Sequence, residues 1–384
     1  MSRRLYLVAG EASGDVLGQD AAAAILKRDP SIVIRATGVS LNQHMSDISV
    51  EPLSVLGIWE GVQAYGAVKR IVTSTVEDIL AFRPDVAVLI DSWGFTLRVA
   101  DAVRKADPNI RIVKLVGPQV WATRPGRAKA LAEKVDHLLC IHDFEVPYYE
   151  PFGLRTTVIG HPALARSEPG DGAAFRDKHG LGDKAPLIAV FPGSRPSEIA
   201  RMGSHLVEAC KLASDRKPGV QFAFAPSGSI ASEFWAIDDF AHPAFVRADP
   251  DDRFDLMAAS DVALACSGTI TTEIALQGTP VITGYRSGVL TWFIATRFLL
   301  TSKYITLLNV AADKEIVPEF LQYDFNAERL ARTVEDLLTD ETARTAQIAA
   351  QNAALQKMGL GNSPAADIAA AAILEELGSA RAGV

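Results

Sequence analysis

Short, wholly apolar runs recur along the chain, each followed by small or acidic residues and then by a helical stretch. Leu5 to Ala9, Val86 to Ile90, Leu187 to Phe191 and Val262 to Ala265 are the clearest. A run without polar alternation is a strand buried on both faces, and such strands belong to parallel sheets covered by helices. The pattern predicts an α/β chain. It continues through Ile32 to Val39, Ile110 to Val116, His137 to Ile141 and Thr156 to Ile159, and later through Val220 to Ala225, Ala244 to Arg247 and Val281 to Thr283. Ligands of parallel sheets bind beyond the carboxyl ends of the strands. Glu11, Asp15, Asp91, Gln119 and Arg124 all fall at such ends.

At 384 residues the chain is too long for one typical core. The strand–helix alternation stops after Ile159, and Ala163 to Lys184 has the Ser, Pro, Gly and Asp content of a linker with one charged, helix-like piece. It restarts at Leu187, which predicts two Rossmann-like halves. From Ala327 onward the sequence is alanine-rich and reads as about three helices.

Composition removes several function classes. A net charge of −8 argues against a nucleic-acid partner held through phosphate contacts. Cys140, Cys210 and Cys266 are far apart, with no Cys-x-x-Cys pair, which fits a reducing cytosol. The histidines show no metal spacing, so neither a metal nor another cofactor is expected. No stretch reaches the ~20 apolar residues of a membrane span. The first residues run straight into a strand rather than a signal peptide.

Two loops of the later half carry phosphate chemistry. Ser267, Gly268 and Thr269 follow a buried strand and open a helix, so a ligand can approach the backbone and meet free N–H groups. Glu273 follows within that helix, where a carboxylate can accept two ribose hydroxyls. Gly193, Ser194 and Arg195 also follow a strand, and their N–H groups and guanidinium fork suit a diphosphate. Both patterns also serve ordinary capped turns. In the earlier half, Gly10-Glu-Ala-Ser-Gly-Asp15 lacks the spacings of dinucleotide and phosphate loops, and its carboxylates suit hydroxyls better. Ser13 or Asp15 is the expected cap of the helix that follows. Asp91, at the end of its strand, is placed to take a proton from an attacking hydroxyl, or else to cap a helix. Asp249-Pro-Asp-Asp252 looks like a metal-binding Asp-x-Asp but reads as a turn before the helix Arg253 to Ala259. Two apolar stretches fit a soluble core poorly: Leu53 to Val62, with Trp59, and Val289 to Lys303, where Trp292 and Phe293 are mixed with Arg297 and Lys303. An interfacial segment on an anionic membrane has that composition, and so does a buried one.

With these residues in place, the chain resembles the lipid-A-disaccharide synthases over nearly its whole length. Gly10-Glu-Ala-Ser-Gly-Asp15 is similar to that family's N-terminal signature, and Gly117-Pro-Gln-Val-Trp-Ala-Thr-Arg-Pro-Gly-Arg127 to its Ser-Pro-Ser-Val-Trp-Ala-Trp-Arg-x-Gly-Arg stretch. Phe144-Glu145, Gly160-His-Pro162, Pro192-Gly-Ser-Arg195 with Glu198, and Ser267-Gly-Thr269 with Glu273 also match. The spacing of Ser267 and Gly268 to Glu273 is similar, too, to the UDP site of the related peptidoglycan GlcNAc transferase.

The resemblance implies a GT-B fold, with two facing Rossmann-like domains built on parallel sheets and C-terminal helices returning to the first. The implied division is an acceptor domain 1–162, a linker 163–184, a UDP-sugar domain 185–340, and returning helices 341–384. It implies transfer of diacylglucosamine from UDP to diacylglucosamine 1-phosphate, giving a β-1′,6-linked disaccharide of lipopolysaccharide synthesis. That reaction takes place on the cytoplasmic side of a Gram-negative inner membrane, with peripheral association. Asp91 and Arg195 become the expected catalytic pair. Gly193, Ser194, Arg195, Ser267, Gly268, Thr269, Glu273 and Asn309 are expected on the nucleotide, and Glu11, Ser13, Asp15, Gln119 and Arg124 on the acceptor. Trp59, Trp292 and Phe293 are expected at the membrane. The family commonly reads Ile-Asp-x-Pro-Asp-Phe where this chain has Ile90-Asp-Ser-Trp-Gly-Phe95, so the base assignment falls on Asp91; Leu308-Asn309 stands where Pro-Asn is usual. The competing readings are a UDP-sugar epimerase of the same layout and a nucleotide-sugar sensor without turnover.

Overall fold

The computed structural model describes residues 3–41, 46, 48–50, 61–165, 167–182, 185–236, 242–288, 292–293, 297 and 300–382. The chain divides into two compact units, Met1–Pro162 with Gly361–Val384, and Ala163–Leu360.

The first unit holds a six-stranded sheet in the order β2-β1-β3-β4-β5-β6, every pair parallel. Its strands are β1 (Arg4–Ala9), β2 (Val33–Thr37), β3 (Val86–Ile90), β4 (Arg111–Leu115), β5 (His137–Cys140) and β6 (Arg155–Val158). Helices α1 (Ala12–Arg28), α2 (Gly61–Phe82), α3 (Trp93–Ala106), α4 (Arg127–Ala132) and α5 (Val146–Tyr149) join them. Successive strand residues point to opposite faces, and both faces are covered. Leu5, Leu7, Val88 and Ile90 pack with Ala21, Ala22 and Ile25 of α1. Tyr6, Val8, Leu89 and Ile112 pack with Ile79 of α2 and Phe95 and Val99 of α3.

The second unit repeats the plan with β7 (Leu187–Phe191), β8 (Gln221–Phe224), β9 (Phe245–Arg247), β10 (Val262–Cys266), β11 (Val281–Tyr285) and β12 (Glu319–Leu321). Its order is β12-β11-β10-β7-β8-β9, again all parallel. The helices are α6 (Gly172–Lys178), α7 (Pro196–Arg216), α8 (Ala231–Trp235), α9 (Arg253–Ala259), α10 (Ile270–Leu276), α11 (Leu307–Ala312), α12 (Ala327–Thr339) and α13 (Glu341–Lys357). A last helix, α14 (Ala365–Ala382), belongs to the first unit.

Two expected boundaries differ from those observed. Residues 163–184 do not form a linker; they belong to the second unit. There α6 buries Phe175, and Arg176 donates to Ala259 O at 2.7 Å. Gly170 N also donates to Gln277 Oε1 at 3.0 Å and Asp171 N to Asp255 Oδ1 at 2.7 Å, so polar contacts as well as one aromatic dock the segment. The tail also divides later than residue 341. Gln347 Nε2 donates to Val281 O at 2.7 Å, and Gln351 Nε2 to Thr279 O at 3.0 Å, so α13 stays with the second sheet. The change of unit falls at Leu360–Gly361, between Gly359 (φ 108°) and Gly361 (φ 87°), in a backbone conformation that favours glycine. Only α14 returns. Its Ala369, Ala370, Ile373 and Leu377 join the core beside α1, and its buried Glu376 accepts from Arg111 Nη2 at 2.7 Å and Arg155 Nη1 at 2.9 Å.

Candidate active site

In each sheet the strand order reverses once, and ligands of open α/β sheets bind at that point. In the second sheet the reversal lies between β7 and β10. The loops leaving those two strands are Pro192–Arg195 and Ser267–Thr269, so topology alone brings them together. They line a cavity of about 580 Å³, a size that suits a small ligand, together with Glu273, Arg253 and the Pro226–Gly228 turn. Gly193, Ser194, Arg195, Ser267, Gly268, Thr269 and Glu273 are thus gathered as the sequence predicts.

Within this cavity the two loops are unlike. The buried Glu198 carboxylate accepts from Ser194 N at 2.9 Å and Arg195 N at 3.2 Å. Those amides, expected on a diphosphate, are already engaged by a fixed anion. Gly193 makes this possible: it adopts φ 119°, and an added Cβ would lie 2.6 Å from Glu198 Oε2. What Pro192–Arg195 presents outward is the Arg195 side chain, 72% exposed and 3.4 Å from Glu198 Oε1. Ser267 N–H donates to Gly284 O at 3.0 Å, which fixes the second loop to β11.

Glu273 stands in the cavity wall with its side chain 22% exposed, 3.7 Å from Arg253 Nε. Burial raises its carboxyl above the ordinary range, and Arg253 pulls it partly back. Arg253 escaped sequence reasoning because it reads as the first residue of a helix.

Asn309 does not belong to this site. It is fully buried, its Nδ2 donates to Val317 O at 2.9 Å, and its Oδ1 accepts from Ile316 N at 2.8 Å and Val317 N at 2.9 Å. The amide ties α11 to the segment before β12, and it is not among the residues lining the cavity.

In the first sheet the reversal lies between β1 and β3, where the loops carrying Glu11 and Asp91 leave. They meet in a depression of about 220 Å³ lined by Gly10, Glu11, Ser92, Trp93 and Arg98. Asp91 is half-buried, and both Asp91 and Ser92 have left-handed backbone, φ 44° and 41°. Such a conformation costs a non-glycine residue about 1–2 kcal/mol and needs outside support. Asp91 N donates to Leu115 O at 2.9 Å. Asp91 O accepts from Thr96 Oγ1 at 2.7 Å and from Lys114 Nζ. Ser92, not Asp91, is the helix cap residue, so the carboxylate is not used as a cap.

The acceptor set is only partly assembled. Glu11 is exposed and precedes α1, which starts at Ala12; Ser13 and Asp15 therefore lie inside the first turn, and neither caps it. Asp15 accepts from Ser40 N at 2.7 Å, Ser40 Oγ at 2.9 Å and Gln19 Nε2 at 2.8 Å. Burial alone raises its pKa, but these bonds outweigh burial and hold it below the usual range. Asp15 secures the loop after β2, contrary to its expected place on a ligand. Gln119 and Arg124 are exposed beyond β4, and Arg124 is left-handed at φ 51°.

Trp59 lies outside the described residues. Trp292 is half-buried and Phe293 is 58% exposed. Among the described residues, no helix is long and apolar enough to cross a membrane, and no group of three His, Cys, Asp or Glu is placed to hold a metal.

A family model described as lipid-A-disaccharide synthetase matches residues 5–373. The chain is similar to the lipid-A-disaccharide synthase of Paramagnetospirillum magneticum, 37% identical over 383 residues and covering 97% of each. It is 33% identical to that of Rhodospirillum centenum over 376 residues, 96% of this chain and 94% of the relative. Among solved structures it is similar to a putative UDP-N-acetylglucosamine 2-epimerase from Listeria monocytogenes, with TM-score 0.63 and 13% identity over 100% of this chain and 98% of that one. It is also similar to Arabidopsis thaliana UGT89C1 complexed with quercetin, with TM-score 0.62 and 15% identity over 98% of this chain and 100% of that one. At those identities the structural likeness speaks for the fold, which is the GT-B arrangement expected from the sequence. The full-length match and the level of identity to the named relatives carry the assignment further: the chain belongs to the lipid-A-disaccharide synthase family, glycosyltransferases of lipid A biosynthesis.

Proposed function

We propose that the chain condenses UDP-2,3-diacylglucosamine with 2,3-diacylglucosamine 1-phosphate, inverting the anomeric carbon and releasing UDP. The observation that carries this reading is the cavity at the reversal of the second sheet, where seven predicted residues converge. In it, Glu273 takes the ribose hydroxyls, and Arg195 with the Gly268 and Thr269 amides takes the diphosphate. A preorganised donor of this kind is worth about 3–4 kcal/mol in the transition state. Asp91 accepts the proton from the acceptor 6-hydroxyl as that oxygen attacks C1. The C1–O bond to the diphosphate breaks, and its electron pair leaves with UDP. Glu11, Gln119 and Arg124, beyond the carboxyl ends of β1 and β4, the two strands that flank β3, serve the acceptor. Trp292 and the exposed Phe293 meet the cytoplasmic face of the inner membrane, from which the acylated substrates come.

The test is UDP release from UDP-diacylglucosamine in detergent. Release that requires the acceptor phosphate supports the reading. Isotope exchange at C2 of the donor sugar without acceptor favours an epimerase, and donor binding with no UDP release favours a sensor. Asp91→Asn is expected to abolish turnover with UDP binding intact, and an active Asp91→Asn enzyme removes the base assignment.

A further inference from the structure

Lys114 is the last residue but one of β4 and is 2% exposed. Its partners in register are Leu89 on β3 and Leu138 on β5, both apolar. A lysine amine in such surroundings is unfavourable unless its hydrogens are accepted and something in the fold requires it there. Among the described residues no carboxylate lies within ion-pairing distance of it. Its Nζ donates instead to the main-chain oxygen of Asp91 and to Thr96 Oγ1 at 2.8 Å. Thr96 Oγ1 in turn donates to Asp91 O at 2.7 Å and Ser92 O at 3.0 Å. The buried amine therefore sits at the centre of a brace on Asp91 and Ser92, the two left-handed residues where β3 leaves the sheet.

We propose that Lys114 is a positioning residue for Asp91, holding its strained carbonyl so that the carboxylate keeps one direction towards the acceptor hydroxyl. The inference rests on the reading of Asp91 as the proton acceptor. A peptide unit in a sparsely populated conformation relaxes when its support is lost, and the side chain it carries turns with it. A base displaced by a fraction of its hydrogen-bond length still leaves substrates bound but slows the proton transfer.

The charge of Lys114 adds to its geometry. Burial pulls the amine down and the negative charge of Asp91 partly offsets it, leaving it at about 7; Asp91 is the charged group that acts on it. Below that pH the ammonium has a hydrogen for each acceptor and one more. Above it the neutral amine still has two, enough for Asp91 O and Thr96 Oγ1. The brace persists through the titration, while the cation beside Asp91 disappears as pH rises.

The test compares Lys114→Met, Thr96→Val and Asp91→Asn in the full chain, with kcat, KM for donor and acceptor, and the fraction folded measured for each. Lys114→Met keeps the length of the side chain and removes its hydrogens. The expected result is a fall in kcat of about 100-fold with each KM changed by less than about threefold. With the ionising amine gone, any inflection of kcat near pH 7 in the wild-type protein is also expected to vanish. Thr96→Val removes the second donor to Asp91 O and one of the amine's two acceptors while keeping the amine itself, and stands in if Lys114→Met does not fold. If Asp91→Asn is inactive while the folded brace variants keep wild-type kcat and pH profile, Lys114 is only a structural group and the proposal fails. If Asp91→Asn is active, the base reading fails first, and the role of Lys114 goes with it.

Discussion

Glu273 places function against stability within one side chain. Because burial raises its pKa, the folded protein binds that proton more tightly than the unfolded chain. Apo stability contributed by this group is therefore lost as pH rises above the unfolded value of about 4.3. Ligand binding runs the other way, since only the carboxylate can accept two hydroxyls. UDP affinity is expected to weaken on acidification at a higher pH than an ordinary glutamate produces. Glu273→Gln is expected to bind UDP about 10- to 100-fold more weakly, the loss of a charged hydrogen bond, with a flattened pH dependence and undiminished apo stability. Calorimetry across pH checks the first two, and thermal unfolding the third; unchanged UDP affinity removes the ribose role. At this scale the sequence was informative where a residue type and its loop coincide, as at Ser267 or Arg195. It misled where a polar group serves the fold: Asn309 and Asp15 carry ligand-like side chains, yet Asn309 bonds to backbone and Asp15 to the backbone and side chain of Ser40 and to Gln19. Lys114 left a trace, a single charge in an apolar strand, that only the fold could interpret.

Helix α14 shows how an element is held by few groups. Glu376 is fully buried and contacts Arg111 on β4, His137 on β5 and Arg155 on β6, so three adjacent strands fasten one helix. His137 lies 3.1 Å from Glu376. Burial, with Arg155, depresses the His137 pKa despite the carboxylate's pull. The folded state thus resists protonating His137, and its contribution to stability is present above the unfolded value of about 6.5 and lost as pH falls below it. Glu376→Gln takes the charge from a buried group that fastens two part-exposed arginines, and a loss of about 1–3 kcal/mol is expected once solvent screening is allowed for, read by urea unfolding together with faster hydrogen exchange along 365–382. A change below about 1 kcal/mol would mean that apolar packing of the helix suffices. Strands were legible because burial on both faces leaves an uninterrupted apolar run. The destination of the terminal helices was not: Gln347 and Gln351, one turn apart, have the spacing of a solvent stripe, but they are buried against Val281 and Thr279. A helix's polar face declares its neighbours only when those neighbours are known.

For the molecule as a whole, the membrane reading can be separated from burial by one double variant. Trp292→Ser with Phe293→Ser is expected to release the protein from anionic vesicles in sedimentation while kcat towards detergent-dispersed substrates persists. Retained sedimentation would assign these rings to packing within the second unit. The twofold plan of the chain was readable from its alternation of runs and helices, whereas the boundary near residue 360 was not, because it depends on which sheet a helix docks against.

The first unit is discontinuous in sequence, and the second is not. A ribosome therefore finishes the later half before it has finished the earlier one, since the segment completing residues 1–162 emerges after the whole of the second unit. Until then β1 and α1 lack the cover of Ala369, Ile373 and Leu377, and the nascent amino-terminal half has an apolar face open to chaperones or to misassembly. A fragment of residues 163–360 is accordingly expected to unfold cooperatively and to bind UDP alone. Residues 1–162 are expected to bind a hydrophobic dye until a 361–384 peptide is added, and a dye-silent 1–162 fragment would show that the last helix is dispensable for closing that core.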